Sequence, residues 1–253
     1  MSGPLALVGG AAFSDGCSFD AGLLAASGGT EVVVLPTAAA YEHPFREVDA
    51  ATAWFEGLGA TVTGVAVLKR FDALEADHAR VVADARFVYL CGGSSMHLRS
   101  VLKDSPVWDA LVAAWEGGAV LAASGGAARV LCDPMVDPRG GAFAVGLGLL
   151  SGLAVIPHHD HWSRDKAHRT IQLAPKGLPV AGIDDRTALI RDPDGSWRAD
   201  VQLHVGPDGR GGLPRSMSPF ARALSRLVLI GAAASSLCAA PRWGLSRSSP
   251  PMA

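Results

Sequence analysis

Short apolar runs alternate with longer amphipathic segments along the first two-thirds of the chain. The short runs are rich in Val, Ile and Leu and end at Gly or Pro, as buried strands do, whereas the longer segments repeat apolar residues at helical spacing. This pattern predicts strands over residues 5–8, 31–35, 62–68, 87–91 and 119–122, and helices over 49–57, 72–85 and 107–115. Strands that alternate with helices form parallel sheets covered on both faces. We therefore predict a three-layer α/β sandwich with a mostly parallel central sheet.

The pattern changes after residue 124. A Pro- and Gly-rich loop over 133–141 precedes a strand over 153–156, and residues 180–183 and 187–190 are interpreted as a terminal pair of strands. The sequence DPDG at 192–195 has the composition of a hairpin turn.

The last fifty residues differ in composition from the rest. Between residues 209 and 253 the chain has six arginines and no acidic residue, and Ser, Pro and Ala dominate. Such a composition favours a poorly ordered tail over 204–253, C-terminal to a single domain formed by residues 1–203. One amphipathic helix over 220–237 is the alternative.

The overall composition narrows the class of protein and its partners. Hydrophobic residues make up 49% of the 253 residues and the net charge is −2, so neither nucleic acid nor an anionic membrane is expected as a partner. The four cysteines lack disulfide or metal-binding spacing, which predicts reduced thiols, no metal and no cofactor in a cytoplasmic protein. A homodimer is compatible with the sequence.

The segment Ala-Ala-Ser-Gly-Gly around Ser124 lies where a predicted strand turns into a helix-compatible run. A nucleophile elbow needs small neighbours, because its turn is strained and the backbones pass closely. The segment departs from the G-x-S-x-G form by having Ala122 at the first position. The spacing fits a catalytic serine, and it equally fits a plain turn or an anion-binding helix N-terminus.

Two other strand ends could supply partners for Ser124. Gly93, in the Gly-Gly turn after strand 87–91, could direct its backbone N–H at an oxyanion. The segment Pro-His-His-Asp-His over 157–161 could supply the general base that accepts the serine proton. A metal held by His158 and His161 competes with this interpretation, although residues three apart on a strand point to different faces. Spacing alone leaves the orienting carboxylate open among Asp133, Asp137, Asp160, Asp184 and Asp185.

The order of these motifs resembles peptidase family S51, the dipeptidase E and cyanophycinase group. The motifs are a Gly-Gly strand end, the Ser124 elbow, GLGLL at 146–150, IPHHD at 156–160 and GIDDRTAL at 182–189. The resemblance covers roughly residues 3–200 and implies a flavodoxin-like, class I glutamine amidotransferase-like fold. It further implies a serine-type peptidase that cleaves short aspartyl peptides through an acyl-enzyme, with a small peptide as its partner.

The resemblance also implies roles for individual residues. Ser124 would be the nucleophile and His158 its base, while Asp137 in the loop after the elbow would orient the base. Gly93 and Gly125 would donate to the oxyanion.

One departure from the family pattern opens an alternative. The family elbow usually has the form Gly-x-Ser-Ala-Gly-Ala, and aligning Ser124 with its serine requires one extra residue before the segment 130–133. An ungapped alignment instead places Gly125 at the nucleophile position. In that register the chain would be a catalytically impaired relative that binds a small acidic ligand. A glutaminase is disfavoured, because that chemistry needs a cysteine at the elbow and this chain has none there.

Overall fold

The computed structural model describes residues 1–201 and 227–230. Its strands are β1 Leu5–Val8, β2 Glu31–Leu35, β3 Thr61–Gly64, β4 Phe87–Leu90, β5 Val120–Ser124, β6 Cys132–Asp133, β7 Met135–Val136, β8 Phe143–Ala144, β9 Leu150–Ser151, β10 Ala154–Pro157, β11 Val180–Ile183, β12 Thr187–Arg191, β13 Trp197–Val201 and β14 Leu227–Ile230. Its α-helices are α1 Phe19–Ser27, α2 Pro44–Gly57, α3 Ala76–Ala83, α4 Ser95–Leu102, α5 Pro106–Glu116, α6 Gly126–Val130 and α7 Arg164–Leu173.

The central sheet has seven strands in the order β13-β12-β1-β5-β4-β2-β3. The five strands from β1 to β3 in this order run parallel, whereas β12 and β13 are antiparallel additions at one edge. Parallel neighbours bring the carboxyl ends of β1, β4 and β5 to one edge of the sheet. Ligand sites in open α/β sheets lie at that edge.

Apolar side chains cover both faces of this sheet. Along β1, Leu5 and Leu7 enter one buried cluster, while Ala6 and Val8 enter a second cluster on the opposite face. This alternation follows from the two-residue period of a strand, and it requires a helical layer on each side. The predicted three-layer α/β sandwich is confirmed.

A second sheet of three strands has the order β10-β11-β14. In it β10 and β11 run parallel, with Pro157 opposite Ile183, and β14 is antiparallel to β11. The interpretation of 180–183 and 187–190 as a strand pair is therefore wrong, because β11 belongs to this sheet and β12 pairs with β1 and β13. The predicted hairpin turn at 192–195 is confirmed, since it joins the antiparallel strands β12 and β13.

Most of the tail over 204–253 lies outside the described residues. Its poor order therefore stays a prediction. Within the alternative helix over 220–237, the part that the structure describes is the strand β14. No helix in the described ranges 1–201 and 227–230 is long and apolar enough to cross a membrane.

Candidate active site

The chain turns sharply where β5 ends and α6 begins. Ser124 is the last residue of β5, lies opposite Val8 of β1 and is 3% exposed. The next residue, Gly125, has φ 54° and ψ −119°, a conformation that residues with a side chain adopt only under strain. Gly126 then begins α6. The strained residue of this elbow is thus Gly125 and not Ser124.

Two further observations concern the position of Gly125. A Cβ atom built on Gly125 would lie 3.0 Å from Nε2 of His158. A side chain at this position would therefore face the imidazole, as a nucleophile faces its base. The N–H of Gly125 donates to the carbonyl of Val8 at 2.9 Å. That N–H is already used within the sheet, so the predicted role of Gly125 as an oxyanion donor does not fit the structure.

Ser124 sits below this apex. It is enclosed near the end of β4, and its Oγ lies 3.8 Å from the Cβ position of Gly92. No hydrogen bond joins Ser124 to His158 in the part of the chain that the structure describes. In a strained elbow the apex residue carries the exposed nucleophile. The structure therefore brings His158 to Gly125 rather than to the predicted nucleophile.

His158 is held by a carboxylate from the neighbouring strand. Its Nδ1 lies 2.7 Å from Oδ1 of Asp185, and its backbone N–H donates to the carbonyl of Gly9 at 2.9 Å. His158 follows the end of β10 and Asp185 follows the end of β11, and these parallel strands bring both residues to one edge. Since an ionised carboxylate can only accept, Nδ1 carries the proton and Nε2 is free to accept one. This arrangement is that of a general base and its orienting acid.

Asp137 does not orient His158, contrary to the prediction. Its carboxylate accepts hydrogen bonds from the side chain and backbone N–H of Arg139, at 2.7 to 3.1 Å. These bonds to Arg139 lower the pKa of Asp137. The family resemblance implied Asp137, but the parallel pairing of β10 with β11 puts Asp185 at His158 instead. The predicted pairing of 180–183 with 187–190 gave no reason to place Asp185 beside His158.

Gly10 is a site residue that the sequence pattern marks only as part of the Gly-Gly end of the first strand. A Cβ atom on Gly10 would collide with the ring of His158 and with the carboxylate of Asp185. The loop after β1 must therefore lack a side chain at this point for the His158–Asp185 pair to form. The Gly9-Gly10 sequence directly after a strand was the available signal.

Gly93 lies against the elbow, and its role as an oxyanion donor stays a prediction. It has φ 131°, and a Cβ there would collide with the carbonyl of Ala38. A Cβ on Gly126 would in turn collide with the carbonyl of Gly93. Gly126 is the first residue of α6, where N–H groups have no partner within the helix. The two glycines thus bring backbone from two strand ends into close contact beside the apex.

A group that could hold a metal ion lies beside His158. The ligand atoms of Asp160, His161 and Asp185 lie within 4.8 Å of one another. The distances from Nε2 of His161 to the carboxylates of Asp185 and Asp160 are 3.2 Å and 3.5 Å. A hydrogen bond between His161 and Asp185 joins two of these three side chains directly. Of the two histidines weighed as metal ligands, His161 belongs to this group, whereas His158 binds Asp185 through Nδ1.

The fold is of the class I glutamine amidotransferase-like type. Residues 5–196 match the model of peptidase family S51, and the chain belongs to that family. Membership of this family supports a peptidase as the broad functional class.

Solved structures agree with this assignment. The crystal structure of a peptidase from an acI-B1 actinobacterium is 26% identical, with a TM-score of 0.72 over 80% of this chain and 89% of that one. A protein named for peptidase E, from Listeria monocytogenes EGD-e, is 16% identical, with a TM-score of 0.63 over 80% of this chain and all of that one. The second likeness shows the fold alone. A search of curated proteins gives no match.

Proposed function

We propose that this S51 family member binds short acidic peptides at the elbow and does not form an acyl-enzyme on Ser124. The observation that carries the proposal is the conformation of the elbow. The strained apex residue, with its Cβ position 3.0 Å from Nε2 of His158, is Gly125. Glycine has no atom that can attack a carbonyl.

The remaining parts of a hydrolytic site support binding and weak chemistry. His158, oriented by Asp185, can act as a base, and the backbone N–H groups of Gly93 and Gly126 can polarise a bound carbonyl. In serine peptidases that lose the nucleophile, oxyanion donors and substrate binding retain about 10³–10⁴-fold catalysis over water. We expect peptide hydrolysis at that residual level, with water as the attacking group.

The acidic character of the peptide comes from the family resemblance. Family S51 enzymes cleave next to aspartate, so dipeptides of the form Asp-X are the appropriate first ligands. A cytoplasmic location and a homodimer remain predictions beside this proposal.

Turnover and binding of a panel of Asp-X dipeptides test the proposal. The unchanged protein should bind the dipeptides and hydrolyse them slowly. Ser124→Ala should leave the slow rate unchanged because its hydroxyl does not take part, whereas His158→Ala should lower it because the attacking water loses its base. A rate that falls to background in Ser124→Ala would show that Ser124 is the nucleophile.

A serine-type peptidase acting through Ser124 is the second candidate. It is favoured by the family membership and by the position of Ser124 at the end of β5, next to the apex. It predicts efficient cleavage of aspartyl dipeptides and an acyl-enzyme on Ser124. A shift of the chain that moves Ser124 to the apex would be required.

A further inference from the structure

Arg129 is a buried cation on α6, four residues after the apex of the elbow. It is 6% exposed, and every residue of α6 is buried. Its Nη1 lies 3.4 Å from Oγ of Ser95, a long hydrogen bond to a neutral group. Its Nε has no hydrogen-bond partner among the described residues. Burial lowers the pKa of Arg129 to about 10, which leaves the guanidinium charged at neutral pH.

The acidic group nearest to this cation is already engaged. Asp137 is close enough to raise the pKa of Arg129, but both of its carboxylate oxygens accept hydrogen bonds from the exposed Arg139. A buried charge without a hydrogen-bonded counterion is costly, since it has lost its hydration. The environment of Arg129 therefore favours the arrival of an anion.

A second cation lies beside the loop that carries Asp137. Lys166 of α7 donates to the carbonyl of Pro138 at 2.6 Å and lies 4.0 Å from the ring centroid of Trp162. Partial burial lowers the pKa of Lys166, and the charge of Arg129 lowers it further. The two cations thus share one electrostatic environment, in which an anion would be favourable to both.

The cation also borders the elbow. Oγ of Ser95, the hydrogen-bond partner of Arg129, lies 3.1 Å from the Cβ position of Gly126. The backbone N–H of Arg129 donates to the carbonyl of Gly125 at 3.2 Å. A ligand whose carbonyl sits at the apex would therefore have a charged group within reach of Arg129.

We propose that Arg129, with Ser95 and Lys166, binds a carboxylate group of the ligand at the border of the elbow. This inference rests on the proposed function in taking a short peptide as the ligand. Guanidinium and carboxylate form charge-assisted hydrogen bonds, which are stronger than those between neutral groups. The carboxylate can come from an acidic side chain or from the C-terminus of the peptide.

Four dipeptides and succinate separate these sources. Calorimetric titrations compare Asp-Leu with Asp-Leu amide, which lacks the C-terminal carboxylate, and with Asn-Leu, which lacks the side-chain carboxylate. Asn-Leu amide lacks both. We expect Asp-Leu to bind at least about tenfold more tightly than the peptide that lacks the carboxylate held by Arg129. Arg129→Met should abolish that difference and leave the affinity for Asn-Leu amide unchanged.

Arg80→Met is the matched control, because Arg80 is 71% exposed and pairs with Asp77 on α3, away from Arg129 and Asp137. It should leave all four affinities unchanged. Urea unfolding of Arg129→Met should show equal or higher stability, because the variant removes a buried charge without a counterion. If Arg129→Met does not fold, Lys166→Met should still weaken binding of the carboxylate-bearing peptides.

The outcomes distinguish this inference from the proposed function. Equal affinity of Arg129→Met and the unchanged protein for all four peptides would overturn the role of Arg129 and leave peptide binding intact. Succinate binding that Arg129→Met abolishes, without binding of any peptide, would support the anion site and contradict the proposed function. An unchanged protein that binds none of these ligands would overturn both.

Discussion

Three glycines shape the site at the scale of single residues. Gly10 leaves space for the His158–Asp185 pair, Gly93 lets its loop contact the elbow, and Gly125 occupies the apex. In each case an added Cβ would meet a neighbouring group at short distance. The sequence indicated a turn at all three positions, but which residue took the strained conformation depended on the exact end of β5. That end is set by the pairing of Ser124 with Val8.

Gly10→Ala should weaken the site and the fold together. The added methyl group would collide with His158 and Asp185, so we expect a loss of about 1–3 kcal/mol in the free energy of unfolding. Urea unfolding measures this loss. Gly22→Ala is the control, because a Cβ there has nothing within 4 Å and Gly22 lies within α1. Its stability should be equal or higher, and equal stability of the two variants would contradict the collision.

At the scale of elements, strand pairing decided what the sequence could predict. Four strands of the parallel sheet were predicted within a few residues, because each is an apolar run followed closely by Gly or Pro, whereas β3 is polar and half-exposed and ends at Gly64 instead of residue 68. The helix α4 was not delimited, although Ser94 caps it by accepting from the backbone N–H of His97 at 3.2 Å. The partner of β11 could not be read from its own sequence, since an apolar run does not specify its neighbour. The identity of the acid at His158 depended on that pairing.

The buried carboxyl of Asp20 connects two helices and makes stability depend on pH. It lies in the first turn of α1 and accepts a hydrogen bond from Nε1 of Trp54 in α2 at 3.0 Å. Burial raises the pKa of Asp20 to about 8. The folded state therefore keeps a proton that the unfolded chain releases above pH about 4. The stability that the protonated Asp20 contributes is fully present below pH 4 and is lost as the pH rises to about 8.

Asp20→Asn tests this dependence. Asparagine keeps an acceptor for Trp54 and cannot ionise. In the unchanged protein the free energy of unfolding should fall by up to about 1.4 kcal/mol per pH unit between pH 4 and 8 because of Asp20, and Asp20→Asn should remove this slope. Unfolding by urea at several pH values measures the slope. The exposed Asp15→Asn serves as the control and should keep the slope of the unchanged protein. An identical slope in Asp20→Asn would contradict the raised pKa.

At the scale of the whole molecule, the site joins two sheets. The elbow comes from the central sheet, whereas His158 and Asp185 follow strands of the smaller sheet β10-β11-β14. Hydrogen bonds from Gly125 to Val8 and from His158 to Gly9 fix both parts to the end of β1. The boundary of the predicted domain at residue 203 separates β14 from the rest of this smaller sheet.

Removal of residues 204–253 tests that boundary. The shortened chain should fold with its central sheet and the His158–Asp185 pair, because these lie within residues 1–201. Its free energy of unfolding should fall by a few kcal/mol, since β11 loses its pairing with β14. Circular dichroism and urea unfolding measure both properties. A chain that does not fold would contradict the domain boundary, and unchanged stability would show that β14 contributes nothing.

Fluorophosphonate labelling, measured by intact mass, tests whether the nucleophile position is occupied by Gly125 or by Ser124. The unchanged protein should remain unlabelled, whereas Gly125→Ser should gain one phosphonyl group because its hydroxyl would face Nε2 of His158. The label should be lost again when His158→Ala is added to Gly125→Ser. Labelling of the unchanged protein that Ser124→Ala abolishes would contradict the account and make Ser124 the nucleophile.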